Sequence, residues 1–95
     1  MGLSLSDKKE LESLLKFHSL NIHQMINFSQ NLLPSQGKIE DFAYGFIVGT
    51  IIGNYSEKFF QKHSRPPDND ELMDIYFTMS LRSGKIRKAI LNELI

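Results

Sequence analysis

Three histidines, a short run of cations and a ladder of glycines are the residues of this chain whose type and spacing bear on chemistry. His18 and His23 stand five residues apart, about 140° around a helix, so they do not converge on one ligand. His63 lies beside Arg65-Pro66-Pro67. No His-Glu-x-x-His or Glu-x-x-His pairing accompanies them and the chain has no cysteine, which removes the usual metal-ligand sets, thiolate sites and thiol nucleophiles. His18 falls on an apolar stripe, where a hydrogen-bonded core imidazole is the expectation. Asp68-Asn69-Asp70 has the opening of a calcium loop, but Leu72 and Met73 occupy the places where that loop needs an oxygen ligand and a glycine. No nucleophile–base pair and no phosphate-binding loop is present. The expectation is a protein without enzymatic activity, cofactor or metal.

Arg82, Lys85, Arg87 and Lys88 place four cations within seven residues and no acid among them. Asp68, Asp70, Glu71 and Asp74 precede them, and acids first, bases last is the order that a helix dipole favours. A solvated helix surface follows from that order. A phosphate or nucleic-acid contact is the alternative, strongest if Ser83-Gly84 opened a new helix and freed N–H groups beside Lys85. Against it stands the charge balance, 11 Lys+Arg against 11 Asp+Glu, which gives no net attraction to a polyanion.

Gly45, Gly49 and Gly53 recur every four residues inside an uncharged segment, Phe42 to Ser56. Glycine costs ~1 kcal/mol against alanine in a helix interior, so three on one face call for a compensating gain. Close approach of another backbone is the physical candidate, within the chain or between two copies. The 15 uncharged residues would span ~22 Å as a helix, short of a ~30 Å hydrocarbon core. A membrane span is therefore not expected.

The elements that position these residues read as helices. Leu11, Leu15, His18, Ile22, Met25, Ser29 and Leu32 alternate spacings of four and three, widened by Leu14, Ile26 and Leu33. Ser6 reads as the N-cap of a helix from Asp7 to Leu33, stopped by Pro34, Ser35 and Gly37. A break near Ser19-Leu20-Asn21, where helix formers thin out, is the alternative. A second helix runs from Lys38 to about His63, with Phe42, Tyr44, Phe46, Ile47, Val48, Ile51, Ile52 and Tyr55 on all its sides, as in a helix buried around most of its circumference. Pro66-Pro67 forms a boundary. Asp68 then caps a third helix, with Glu71 in capping-box position and Leu72, Ile75, Tyr76 and Met79 facing inward. The run 72, 76, 79, 83, 86, 90 stays in phase across Gly84, so this helix is continuous unless Gly84 breaks it. Phe77 and one of Phe59 and Phe60 are left facing outward.

At 95 residues and 41% hydrophobic content, the chain is long enough for one core and too apolar for disorder. The expected architecture is a single all-α domain over residues 1–95. It is a small bundle of three long helices, four if Gly84 breaks the last, with the central helix largely buried. An apolar surplus on that helix predicts self-association, most simply a dimer, through Gly45, Gly49, Gly53, Phe46 and Ile52. The function that follows is a protein-interaction module or small assembly subunit. No basic segment followed by an apolar run opens the chain, so a cytoplasmic location is the default expectation.

Overall fold

The computed structural model describes residues 2–32 and 38–94. Leu33, Pro34, Ser35 and Gly37, the expected end of the first helix, lie outside them. Among the described residues the chain is all-α: α1 (Leu5–Leu20), α2 (Ile22–Leu32), α3 (Ile39–His63) and α4 (Asn69–Leu94). At ~1.5 Å per residue α3 and α4 are each nearly 40 Å long, which accounts for the 42 Å long dimension of the molecule.

α1 begins two residues earlier than Ser6 predicts. Ser4 is the N-cap, and its hydroxyl accepts the Asp7 N–H at 3.1 Å. Ser6 lies inside the first turn, where its hydroxyl meets Glu10 and Lys62. The expected continuous helix to Leu33 is interrupted at Asn21. The Asn21 N–H bonds the carbonyl of His18, three residues back, and its side-chain amide takes the Phe17 carbonyl at 2.9 Å. One residue of low helix propensity thus satisfies the orphaned carbonyl itself and turns the chain.

The later boundaries follow local chemistry. α3 ends where Ser64 adopts the left-handed conformation, φ 58°, with its N–H on the Phe60 carbonyl. After Pro66-Pro67, Asp68 and Glu71 form a reciprocal capping box: Glu71 N–H donates to Asp68 Oδ1 at 2.8 Å and Asp68 N–H to Glu71 Oε1 at 2.9 Å. Gly84 does not break α4, which runs through it to Leu94. Intrahelical bonding on both sides outweighs the ~1 kcal/mol cost of one glycine.

The core joins Leu11, Leu14 and Leu15 of α1, Ile26 of α2, a stripe of α3, and Ile75, Met79 and Ile90 of α4. Tyr76, expected to face inward, is half exposed, and Glu71 takes a buried place on the same helix instead. Phe59 is buried while Phe60 and Phe77 are exposed, so one aromatic of the Phe59-Phe60 pair and Phe77 face outward as expected. Three side-chain ties share nearly one sequence offset: Leu3 N–H to Asp74, Arg82 to Glu12, and His23 to Glu93, at separations of 71, 70 and 70 residues. The α1–α2 segment therefore runs in the same direction as α4, in constant register over some twenty residues, and both lie against α3.

Candidate functional site

The α3 helix meets α1, α2 and α4, yet it is not buried around its circumference. Its buried residues are Ala43, Ile47, Ile51, Tyr55 and Phe59, spaced by four. Gly45, Gly49 and Gly53 follow the same spacing two residues later, and two residues are 200° around a helix. The two sets therefore occupy opposite faces. All three glycines are exposed, and a Cβ built on any of them would meet nothing within 4 Å among the described residues. Among the described residues nothing packs closely on these glycines, so the first of the two uses expected for the ladder is not found there. The expectation of a largely buried central helix is corrected with it: one helical face packs inward, and the small residues face out.

Phe46 and Ile52 lie about 60° to either side of Gly49, both half buried. Phe46 stacks on the exposed Phe28 of α2, ring centroids 5.7 Å apart, and more distantly on Phe42. The ladder is thus bordered on one side by a row of aromatic rings and on the other by an aliphatic side chain. No charged side chain stands between Phe42 and Ser56. A separate apolar strip, Met73, Phe77 and Leu81, faces outward on α4.

The cations are divided between two sides of α4. Arg82 pairs with Glu12 of α1 at 2.6 Å. Arg87 pairs with Asp41 at 3.3 Å and Glu40 at 3.8 Å and lies over the Tyr44 ring. Lys85 and Lys88 are exposed. Because α4 is continuous at Ser83-Gly84, the N–H groups beside Lys85 lie within a helix, and the anion-receptive corner that would have strengthened the alternative is not formed.

The histidines serve as ties. His18 is buried and its Nε2 lies 3.2 Å from the Asn54 amide; burial lowers its pKa. His23 meets Glu93 at 2.5 Å. His63 Nε2 lies 3.1 Å from Asp7 and borders neither of the two large hollows of the surface.

Asp7 is the buried end of a side-chain knot. Lys62 donates to its Oδ1 at 2.9 Å and to Glu10 at 2.7 Å, and Tyr55 donates its hydroxyl to the Asp7 carbonyl at 2.8 Å. Burial alone would raise the Asp7 pKa, but the hydrogen bonds from Lys62, His63 and Ser4 prevail and hold it at about 2. A neighbouring clasp has the same logic. Arg65 binds Glu71 through both guanidinium nitrogens, at 2.6 and 3.1 Å, and this fork with the Asp68 N–H holds Glu71 at about 2 against its own burial. Tyr55, buried and facing Asp7, Glu10 and Glu71, is raised well above an ordinary phenol. No local motif announces a pairing between residues 55 positions apart.

No family model, curated protein sequence or solved structure matches this chain. Among the described residues no helix is long and apolar enough to cross a membrane.

Proposed function

We propose that this protein is a non-enzymatic helical-bundle module that self-associates as a twofold dimer through the outer face of α3, centred on Gly49. The observation that supports this is the open glycine ladder. Three glycines weaken the helix by ~1 kcal/mol each relative to alanine, and nothing in the described chain approaches them. A second α3 laid across the ladder recovers that cost, because two backbones without Cβ atoms between them approach closely. A twofold axis lets one patch satisfy itself, with Phe46 and Ile52 of each copy flanking the other's glycines. The absence of charge along this face leaves no ion to desolvate on association.

Size-exclusion chromatography with light scattering tests the proposal. The wild-type chain is expected at twice its 11.0 kDa mass at high micromolar concentration. Gly49→Leu is expected to run as a monomer with its helical circular dichroism intact, since the added side chain enters open space in the single chain. A folded wild-type monomer under those conditions overturns the dimer. A dimer that persists in Gly49→Leu overturns the α3 face as its interface.

A further inference from the structure

A slot between α1 and α4 has the shape and charge of a ligand site. The Glu12–Arg82 ion pair crosses it at one end, and the His23–Glu93 tie joins the same two strands of chain beyond the other. Between these ties the helices part over a hollow of about 660 Å³, within the ~300–1,000 Å³ range of small-molecule sites. Ile47 and Ile51 of α3 line its depth, and Leu15, Ile86 and Ala89 line its walls. The Asn21 break places Ile22 beside it.

The charge at the mouth is one-sided. Lys16, Arg82 and Lys85 border the slot with Glu12 as the single carboxylate, and Arg82 already neutralises Glu12 at 2.6 Å. Among the described residues neither Lys16 nor Lys85 has a carboxylate partner. The larger hollow on the other side of α1, about 1020 Å³, shows no such bias: Lys9 and Lys58 face Glu10 and Glu57 there.

We infer that the α1–α4 slot binds a free amphiphile with one aliphatic chain and one anionic headgroup, the chain lying over Ile47 and Ile51 and the headgroup between Lys16 and Lys85. An apolar floor alone would accept any aliphatic group. The two unpartnered ammonium groups select the anion, and the apolar floor of Ile47 and Ile51 takes the aliphatic chain. The slot and the glycine face of α3 are distinct surfaces, so ligand binding and self-association stand or fall separately.

Isothermal titration with hexanoate, octanoate and decanoate, all below their micelle thresholds, reads the tail. Each two-carbon extension is expected to tighten binding roughly tenfold, from ~0.8 kcal/mol per buried methylene. Lys16→Gln with Lys85→Gln is expected to weaken decanoate about tenfold and leave decanol unchanged. Ala89→Phe, which fills the slot, is expected to abolish binding of both while circular dichroism reports the same helix content. Methyl NMR is expected to show decanoate shifting Ile47 and Ile51, and to show the same shifts in Gly49→Leu. The inference is overturned by any of four results: no saturable decanoate binding, affinity independent of chain length, shifts confined to another surface, or binding only to phosphatidylglycerol vesicles and not to monomeric decanoate.

Discussion

Asp7 and Glu71 show how a carboxylate survives burial: each is surrounded by more donors than its own desolvation can oppose. Asp7 has Lys62 and His63; Glu71 has the Arg65 fork and a backbone N–H. Both pKa values fall to about 2 from ordinary values of 3.8 and 4.5. A depressed carboxylate contributes stability that is fully present above its unfolded pKa and is lost as pH falls through the folded one. These two therefore support the fold above about pH 4.5 and cease to do so towards pH 2. A tenfold difference in proton affinity between the folded and unfolded chain is worth ~1.4 kcal/mol. Solvent around the partner cations reduces this, which leaves about 1–2 kcal/mol for each carboxylate. His18 acts in the same direction at higher pH. Burial lowers its pKa from 6.5, so the unfolded chain takes up a proton first and stability declines as pH drops below about 6.5. Urea unfolding of the wild type at pH 7 and pH 3 is expected to show a large loss at the lower pH. In Asp7→Asn the difference between the two pH values is expected to shrink by up to about 1 kcal/mol, because pH 3 still lies above the folded pKa of about 2, and the variant is expected to be less stable than the wild type at pH 7.

At the scale of the element, α3 carries two interleaved patterns of the same period. Residues 43, 47, 51, 55 and 59 pack inward, and 45, 49 and 53 face outward. A four-residue spacing advances 40° beyond a full turn each time, so the inward stripe winds around the helix. The first half of α3 meets α2, where Phe46 stacks on Phe28 at the border of the stripe, and its last part meets α1, where Tyr55 reaches Asp7. The outward pattern predicts an unusual response to substitution. Gly45→Ala and Gly53→Ala meet no atom within 4 Å, so each is expected to stabilise the isolated chain by ~1 kcal/mol, or about 4–8 °C in Tm for a domain of this size. Thermal melts at low micromolar concentration measure this. If either substitution lowers the Tm there, an unseen contact covers that glycine.

For the whole molecule, the ties at a constant offset of about 70 residues mark the register between the α1–α2 segment and α4, while the core supplies the energy. Arg82 and Glu12 are each about half exposed, with side-chain exposures of 45% and 46%, and exposed ion pairs contribute ~0–1 kcal/mol. Ile75 is fully buried, at 0% exposure, among residues of the core, and truncating a buried aliphatic side chain to alanine costs ~2–5 kcal/mol. Equilibrium urea unfolding is expected to separate the two variants accordingly: Arg82→Ala within about 1 kcal/mol of wild type, Ile75→Ala lower by about 2 kcal/mol or more. Equal losses would mean that the ion pairs, and not the buried side chains, carry the packing of α4.

Sequence by itself determined the helical class, the Pro66-Pro67 boundary and the Asp68–Glu71 capping box, whereas passage through Gly84 was one of two outcomes that the in-phase stripe allowed. The first three are outcomes of short-range chemistry, in which donor and acceptor lie within four residues and no distant partner is needed. The Asn21 break was legible as one of two outcomes, because a thinning of helix formers does not say which turn gives way. The relation between the faces of α3 was also written in the chain, since two residues are always 200° apart. Which of the two faces lies against the core was decided by α1, α2 and α4, whose stripes need isoleucine, tyrosine and phenylalanine opposite them and gain nothing from glycine. The Asp7 knot, the offset ties and the slot between α1 and α4 belong to the tertiary structure alone. Each joins residues far apart in the chain whose types carry no mutual signal until packing of the apolar stripes sets them side by side.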